Sequence, residues 1–240
     1  MTRVELVCQT AEDALRAEAL GADRIELCAA IETGGLTPSA GVVREILRRV
    51  KTPLVVMVRP RPSGFCYTPT EQQVILADAA QFVELGVEGL VFGCVEAGGT
   101  IDEALLQRLV EVAKGVPVTF HRVFDSIPDP IANARRIVEM GVRRLLCSGS
   151  LQGAEQGIAT LRGIKEAVGE TLEVIAAGGI RSFNAGMIVQ ETGCDYVHLA
   201  PPTKSTDATG HFGLYGREYS SIDTAEAARV IESVRSLGAP

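Results

Sequence analysis

The sequence predicts an α/β chain closed into a single-domain (β/α)8, or TIM, barrel spanning residues 1–240, and three observations lead there. Short apolar, β-branched runs alternate with longer helix-like stretches along the whole chain. The alternation occurs eight times, in units of about 30 residues with no linker between them. A length of 240 residues and a hydrophobic fraction of 46% suit one barrel with a substantial core. An open doubly wound sheet alternates in the same way, but eight regular repeats in this length favour closure.

VELVC (4–8) is the first strand-like run, and AEDALRAEAL (11–20) is the helical pattern after it. RIELC (24–28) is the second strand, followed by the turn-forming GGLTPS (34–39). PLVVMVRP (53–60) precedes the helix EQQVILADAAQFVEL (71–85), and GLVFGC (89–94) precedes DEALLQRLVEVAK (102–114). PVTFHR (117–122), RRLLCS (143–148), LEVIAA (172–177) and YVHLA (196–200) supply the remaining strands. The amphipathic TAEAARVIESVRSL (224–237) reads as a last outer helix. The phrase LGADRIEL recurs loosely as LGVEGLVF, MGVRRLLC and TGCDYVHL, each a helix ending on glycine before a strand. The polar, glycine-rich segment 201–221, with His211, Tyr215 and Tyr219, reads as a mobile loop after the eighth strand.

A net charge of −7 without any Lys/Arg cluster argues against nucleic-acid binding. No apolar run of about 18 residues predicts a membrane span, and the acidic start MTRVELVCQTAEDA does not resemble a signal peptide. The six cysteines (Cys8, Cys28, Cys66, Cys94, Cys147 and Cys194) are scattered, with no Cys-x-x-Cys pair. Reduced thiols and a cytoplasmic location are the expectation.

In a barrel, strand residues alternate between interior and helix layer, and chemistry gathers at the C-terminal mouth. A charged side chain beneath the helices would lose its water without compensation. Glu5 and Val7 are therefore expected inside on the first strand, and Glu26 and Cys28 on the second. Arg59, with Arg61 just beyond it, follows on the third; Thr119 and His121 on the fifth; His198 on the eighth. The alternative is a structural network in which Arg59 and Arg61 neutralise Glu5 and Glu26.

The chain also resembles the CutC-type copper homeostasis proteins. The likeness covers nearly all of residues 1–200 and rests on several motifs. These are GADRIELCAA (21–30) with GGLTPS (34–39), VRPRP (58–62) with FCY (65–67), VTFHRVFD (118–125) and the Ser148-Gly149 pair. The resemblance implies a TIM barrel, a part in copper handling in the cytoplasm and a homodimer. It also implies two cysteine ligands for copper, one of which is Cys28. The other position holds Val7, and Cys8 beside it falls on the opposite face by strand alternation. Where the family commonly has Asp before the Phe of the FCY run, this chain has Gly64.

Two readings of the mouth stay open. In one, Cys28, His121 and His198 bind Cu(I), which favours thiolate and accepts imidazole. In the other, the protein is a cofactor-independent isomerase or lyase acting on a small phosphorylated or carboxylated substrate. Arg59, Arg61, Ser148, Gly178, Gly179 and His198 would then hold the anion, with Glu5, Glu26 and His121 as acid and base. Arg122 and Asp125 are expected to tie the loop after the fifth strand. Other chemistries lack their residues. Lys51, Lys114, Lys165 and Lys204 all fall in helices or loops, which leaves none for a Schiff base, and no His-Glu-x-x-His, Gly-x-Ser-x-Gly or Gly-x-Gly-x-x-Gly motif occurs.

Overall fold

A computed structural model of the chain describes residues 1–206 and 218–238. Eight parallel strands close in sequence order into a barrel: β1 (Arg3–Cys8), β2 (Arg24–Leu27), β3 (Leu54–Met57), β4 (Gly89–Phe92), β5 (Val118–Phe120), β6 (Arg144–Cys147), β7 (Glu173–Ala176) and β8 (Tyr196–Leu199). Closure is direct, because β1 pairs with both β2 and β8. The helices are α1 (Ala11–Leu20), α2 (Ala40–Arg49), α3 (Pro69–Leu85), α4 (Glu103–Val112), α5 (Pro130–Glu139), α6 (Ile158–Val168), α7 (Ala185–Thr192) and α8 (Thr224–Ser236). None is long and apolar enough to cross a membrane.

Local chemistry sets the helix ends. The side chains of Thr10, Ser39, Asp102, Asp129 and Asp223 accept amide hydrogen bonds at N-termini, and Thr68 forms a capping box with Glu71. At the recurring helix-to-strand phrase, Gly21, Gly86, Gly141 and Gly193 all have positive φ, a backbone state in which a Cβ would be strained.

Beyond β8, β9 (Pro202–Thr206) and β10 (Glu218–Ile222) pair as an antiparallel ribbon. It docks through Asp13 of α1, whose carboxylate accepts from the Ser221 hydroxyl at 2.7 Å. Tyr219 lies on this ribbon; His211 and Tyr215 fall outside the described residues.

The two faces of the sheet differ sharply. Between sheet and helices lies the large core, with Leu6, Ile25, Val56, Phe92, Phe120, Leu145 and Val197 among its strand residues. Inside the barrel there are two smaller apolar clusters. One is Val7, Cys28, Val55, Met57 and Val91; the other is Leu146, Ile175, Ala177 and Tyr196. Cys8 belongs to the outer core and Val7 to the interior, as alternation requires. Interior positions also carry buried Glu5, Arg24, Glu26, Arg59, Thr119 and His121.

Space for these groups comes from β4 and the residue after it. A Cβ on Gly89 would come within 2.5 Å of an Arg144 guanidinium nitrogen, and one on Gly93 within 2.3 Å of His121 Nδ1. Gly93→Ala is expected to lose about 1–3 kcal/mol by overpacking. Gly98→Ala, whose new methyl meets nothing within 4 Å, should change stability by less than about 0.5 kcal/mol. Chemical denaturation of the two variants checks this, and equal losses would contradict it.

Candidate active site at the barrel mouth

A cavity of about 530 Å³ opens at the C-terminal end of the barrel. Glu26, Arg59, His121, Arg122, Gly178, Gly179, Arg181 and His198 contribute its polar lining. Six of these, Glu26, Arg59, His121, Gly178, Gly179 and His198, are residues expected from the sequence, and the cavity brings them to one place.

Glu5 lies one layer deeper. Register sets it beside Arg24 of β2 and His198 of β8. One carboxylate oxygen accepts from Arg24 Nε, and the other lies 2.7 Å from His198 Nδ1. Arg24 is 2% exposed, reaches Glu173 at 2.6 Å with Nη1, and stacks over the Tyr196 ring at 3.8 Å. Burial opposes ionisation of Glu5, but Arg24 and His198 overcome it and hold the carboxyl near 2.

Glu26 has the opposite environment. It is 3% exposed, its Oε2 has no hydrogen-bond partner among the described residues, and His198 Nδ1 is 4.0 Å away. Burial pushes its pKa up to about 7, a tendency that the neighbouring Glu5 charge reinforces and His198 resists. Glu26 is thus a carboxyl able to gain or lose a proton near neutrality.

The two cavity histidines also differ. His121 is buried; its Nδ1 accepts from the Val123 amide at 3.3 Å, which places the ring proton on Nε2, and Nε2 has no partner among the described residues. Burial first, and the Arg59 charge second, lower its pKa to about 3. Both effects favour the neutral ring, which offers its Nε2 hydrogen to the cavity side. For His198, burial is outweighed by the Glu26 and Glu5 carboxylates, which raise its pKa.

Arg59 explains the GGLTPS motif. Its Nη1 donates to the carbonyls of Thr33 and Gly35, both at 3.0 Å, and its amide donates to Thr37 Oγ1 at 2.8 Å. A Cβ on Gly34 would come within 3.1 Å of that Nη1, so the glycine turn is what lets the backbone reach the cation. Nε lacks a partner among the described residues, and Phe65 packs under the guanidinium at 4.7 Å while meeting His121 edge-on at 4.9 Å. The cation is fixed in place with donors to spare.

At the opposite wall, Gly178 and Gly179 follow β7 with φ of 90° and 77°. Among the described residues, the amides of Gly178, Gly179 and Ile180 donate to no protein acceptor. Arg122 lies against Gly178, and Arg181 also lines this end. Unpaired amides beside two guanidinium groups concentrate hydrogen-bond donors and positive charge on this wall.

Three expected residues are placed elsewhere. Arg61 pairs with Glu71 and donates to the carbonyls of Ser63 and Cys66, so it clamps the 61–71 loop outside the cavity. Ser148 is buried under β7, its hydroxyl donating to the Ala177 carbonyl at 2.7 Å. Cys28 faces the interior but sits among Val7, Val55, Met57 and Val91, covered by Gly35. Burial pushes its thiol far above the usual range. Among the described residues, the compact group of potential metal donors is Glu5, Glu26 and His198, whose ligand atoms lie within 4.8 Å of one another; Cys28 and His121 are not in it. Asp125 accepts from the amides of Ser148 and Gly149 and from Arg122 Nε, tying the loop after β5 to β6. Arg24 is the interior residue that pattern reading missed, although its spacing of two from Glu26 carried the signal.

Comparison with known proteins follows from this geometry. The CutC family model matches residues 2–203. A CutC family protein of Sodalis glossinidius is 40% identical over 228 residues, covering 95% of this chain and 86% of its own. Another, of Treponema denticola, is 34% identical over 243 residues and covers 98% of each chain. The crystal structure of a candidate copper homeostasis protein CutC from Streptococcus agalactiae is similar, with a TM-score of 0.79 at 30% identity over 82% of this chain and 98% of that one. Phosphoribosylanthranilate isomerase from Thermotoga maritima, at 13% identity and a TM-score of 0.60, shares the fold.

Glu26 generates a pH prediction. Its ordinary pKa is 4.5 and its folded value about 7, so below about 4.5 it is neutral in both states. As pH rises from there to 7, the unfolded chain ionises first and the fold loses stability. Glu26→Gln cannot ionise, so its advantage over the wild type should grow across that window, to a few kcal/mol at most, and level off above it. Denaturation curves at pH 4, 5.5 and 7.5 check this; a difference that is flat with pH would contradict it.

Proposed function

The chain belongs to the CutC family, which ties it by name to copper homeostasis, and from that premise we propose that its mouth cavity is the active site of a cofactor-independent acid/base enzyme. The substrate class is a small carbonyl compound bearing a phosphate or carboxylate. The observation that carries this reading is Glu26: a buried carboxyl with an unpartnered oxygen, on one wall of a cavity whose other walls are cationic.

Each group has a role in this reading. The amides of Gly178 to Ile180, with Arg122 and Arg181, hold the anionic end. Glu26 as carboxylate takes a proton from the carbon next to the carbonyl. The negative charge that develops on the carbonyl oxygen meets His121 Nε2–H and the free edge of Arg59, donors already fixed before substrate arrives. Phe65 keeps water from this side. A neutral imidazole suits the donor role, since it needs no proton exchange during the step.

A soft Cu(I) centre draws little support from these donors. The thiol of Cys28 holds its proton tightly inside an apolar cluster, whereas Cu(I) needs the thiolate. Copper as cargo would require that cluster to open.

The test uses a panel of small sugar phosphates and hydroxy acids, with inorganic phosphate as a probe of the anion wall. Phosphate-bearing compounds should raise the thermal midpoint, and one of them should exchange a carbon-bound hydrogen for deuterium in D2O. Glu26→Gln should lower that exchange by about 10²–10⁴-fold while keeping the thermal shift. If no anionic compound stabilises the protein and stoichiometric Cu(I) binding depends on Cys28, the reading fails.

A further inference from the structure

We propose that His198 is a second catalytic residue of this site, and that Glu5, anchored by Arg24, is the positioning residue that fixes its tautomer. The proposal rests on the acid/base reading above and extends it.

The geometry makes one orientation of the ring the favoured one. Glu5 Oε1 lies 2.7 Å from His198 Nδ1, and its other oxygen is taken by Arg24 Nε, so Glu5 stays an acceptor and Nδ1 must carry hydrogen. Nε2 is then the nitrogen left for a ligand. Among the described residues it makes no hydrogen bond, the His198 side chain is 12% exposed, and it lines the cavity. A carboxylate behind an imidazole, itself held by a further group, is the arrangement that orients a base in many hydrolases and metal sites. Here the anchor is unusually firm, because Arg24 is also bound to Glu173 and stacked on Tyr196.

Three charged groups act on the ring. Glu5 and Glu26 face it from β1 and β2, and Arg122 acts on it from the loop after β5. The two carboxylates support a protonated ring, and Arg122 opposes it. Glu26 Oε2 lies 4.0 Å from Nδ1 of the same ring, so the two side chains share one corner of the cavity and can serve neighbouring atoms of one small substrate.

The step balances without an outside reagent. Glu26 carboxylate removes a proton from carbon, and the C–H electron pair becomes the carbon–carbon double bond of an enol. The carbonyl oxygen takes a proton from Nε2–H of the protonated His198 ring, which is left as the neutral Nδ1–H form. Return of a proton from Glu26 to the adjacent carbon, with His198 Nε2 accepting one from the neighbouring hydroxyl, yields the isomeric carbonyl compound. No electron is gained or lost overall. His121 and Arg59 steady the oxygen throughout. The chemistry is thus a 1,2-proton shift between adjacent carbons, an isomerisation of a hydroxy-carbonyl compound.

Nitrogen NMR of the imidazoles tests the arrangement without a substrate, so its outcome is independent of whether the acid/base reading survives. His198 signals are assigned by their loss in His198→Gln. At a pH where the ring is neutral, wild-type His198 should show hydrogen on Nδ1, and His121 should show it on Nε2. Glu5→Gln should lose the fixed Nδ1–H form of His198, and Glu5→Asp should partly restore it, while His121 stays unchanged. If Glu5→Gln does not fold, the wild-type spectrum alone decides. A wild-type His198 with hydrogen on Nε2, or a folded Glu5→Gln protein with an unchanged His198 spectrum, overturns the proposal. Where the deuterium assay finds a substrate, His198→Gln should reduce exchange at least about 10²-fold; full exchange in that variant also overturns it.

Discussion

The buried ion pair between Glu5 and Arg24 is the interaction on which the interior of this barrel depends. Both residues are almost completely inaccessible, and a lone charge at either position would be strongly unfavourable. Pairing offsets that penalty and fixes directions at the same time. Glu5 has one oxygen for Arg24 and the other for His198, so β1, β2 and β8 are tied together by charge as well as by backbone. Arg24 passes the connection on to Glu173 and thus to β7. The result is a polar column running up a barrel that is otherwise filled by two apolar clusters, and its upper end is the cavity.

That column separates chemically similar residues. Glu5 and Glu26 come from neighbouring strands, yet one is locked as an anion by a guanidinium and the other is left without a partner. His121 and His198 divide in the same way: a backbone amide occupies Nδ1 of the first, a carboxylate faces Nδ1 of the second. Neither pair differs in residue type. What differs is the group one hydrogen bond away, and this is how one fold sets adjacent side chains to distinct protonation states.

Much of this was legible in the sequence, for a simple physical reason. Strand alternation leaves two choices of face, and a charge cannot be tolerated under the helices, so Glu5, Glu26, Arg59, His121 and His198 had to point inward. The recurring glycine before each strand marked the units, and the eightfold count marked closure. Depth was harder to read. Cys28 has the correct face, but whether a thiol meets solvent or is capped by a glycine turn depends on how GGLTPS folds back over it. Arg61 looked like a continuation of the third strand, whereas that strand ends at Met57 and the arginine is claimed by Glu71. Arg24 hid inside an apolar-looking run because its partners, Glu5 and Glu173, are distant in sequence. Proton positions were the least accessible of all, since they depend on contacts made by other strands.

The placement of the cysteines has a consequence for how the protein withstands chemical stress. Five of the six are buried, and Cys66 alone is exposed. Thiols that keep their hydrogen within an apolar interior are poor nucleophiles and slow to be oxidised. Peroxide or an electrophile should therefore mark the surface loop at Cys66 before it reaches the packed interior.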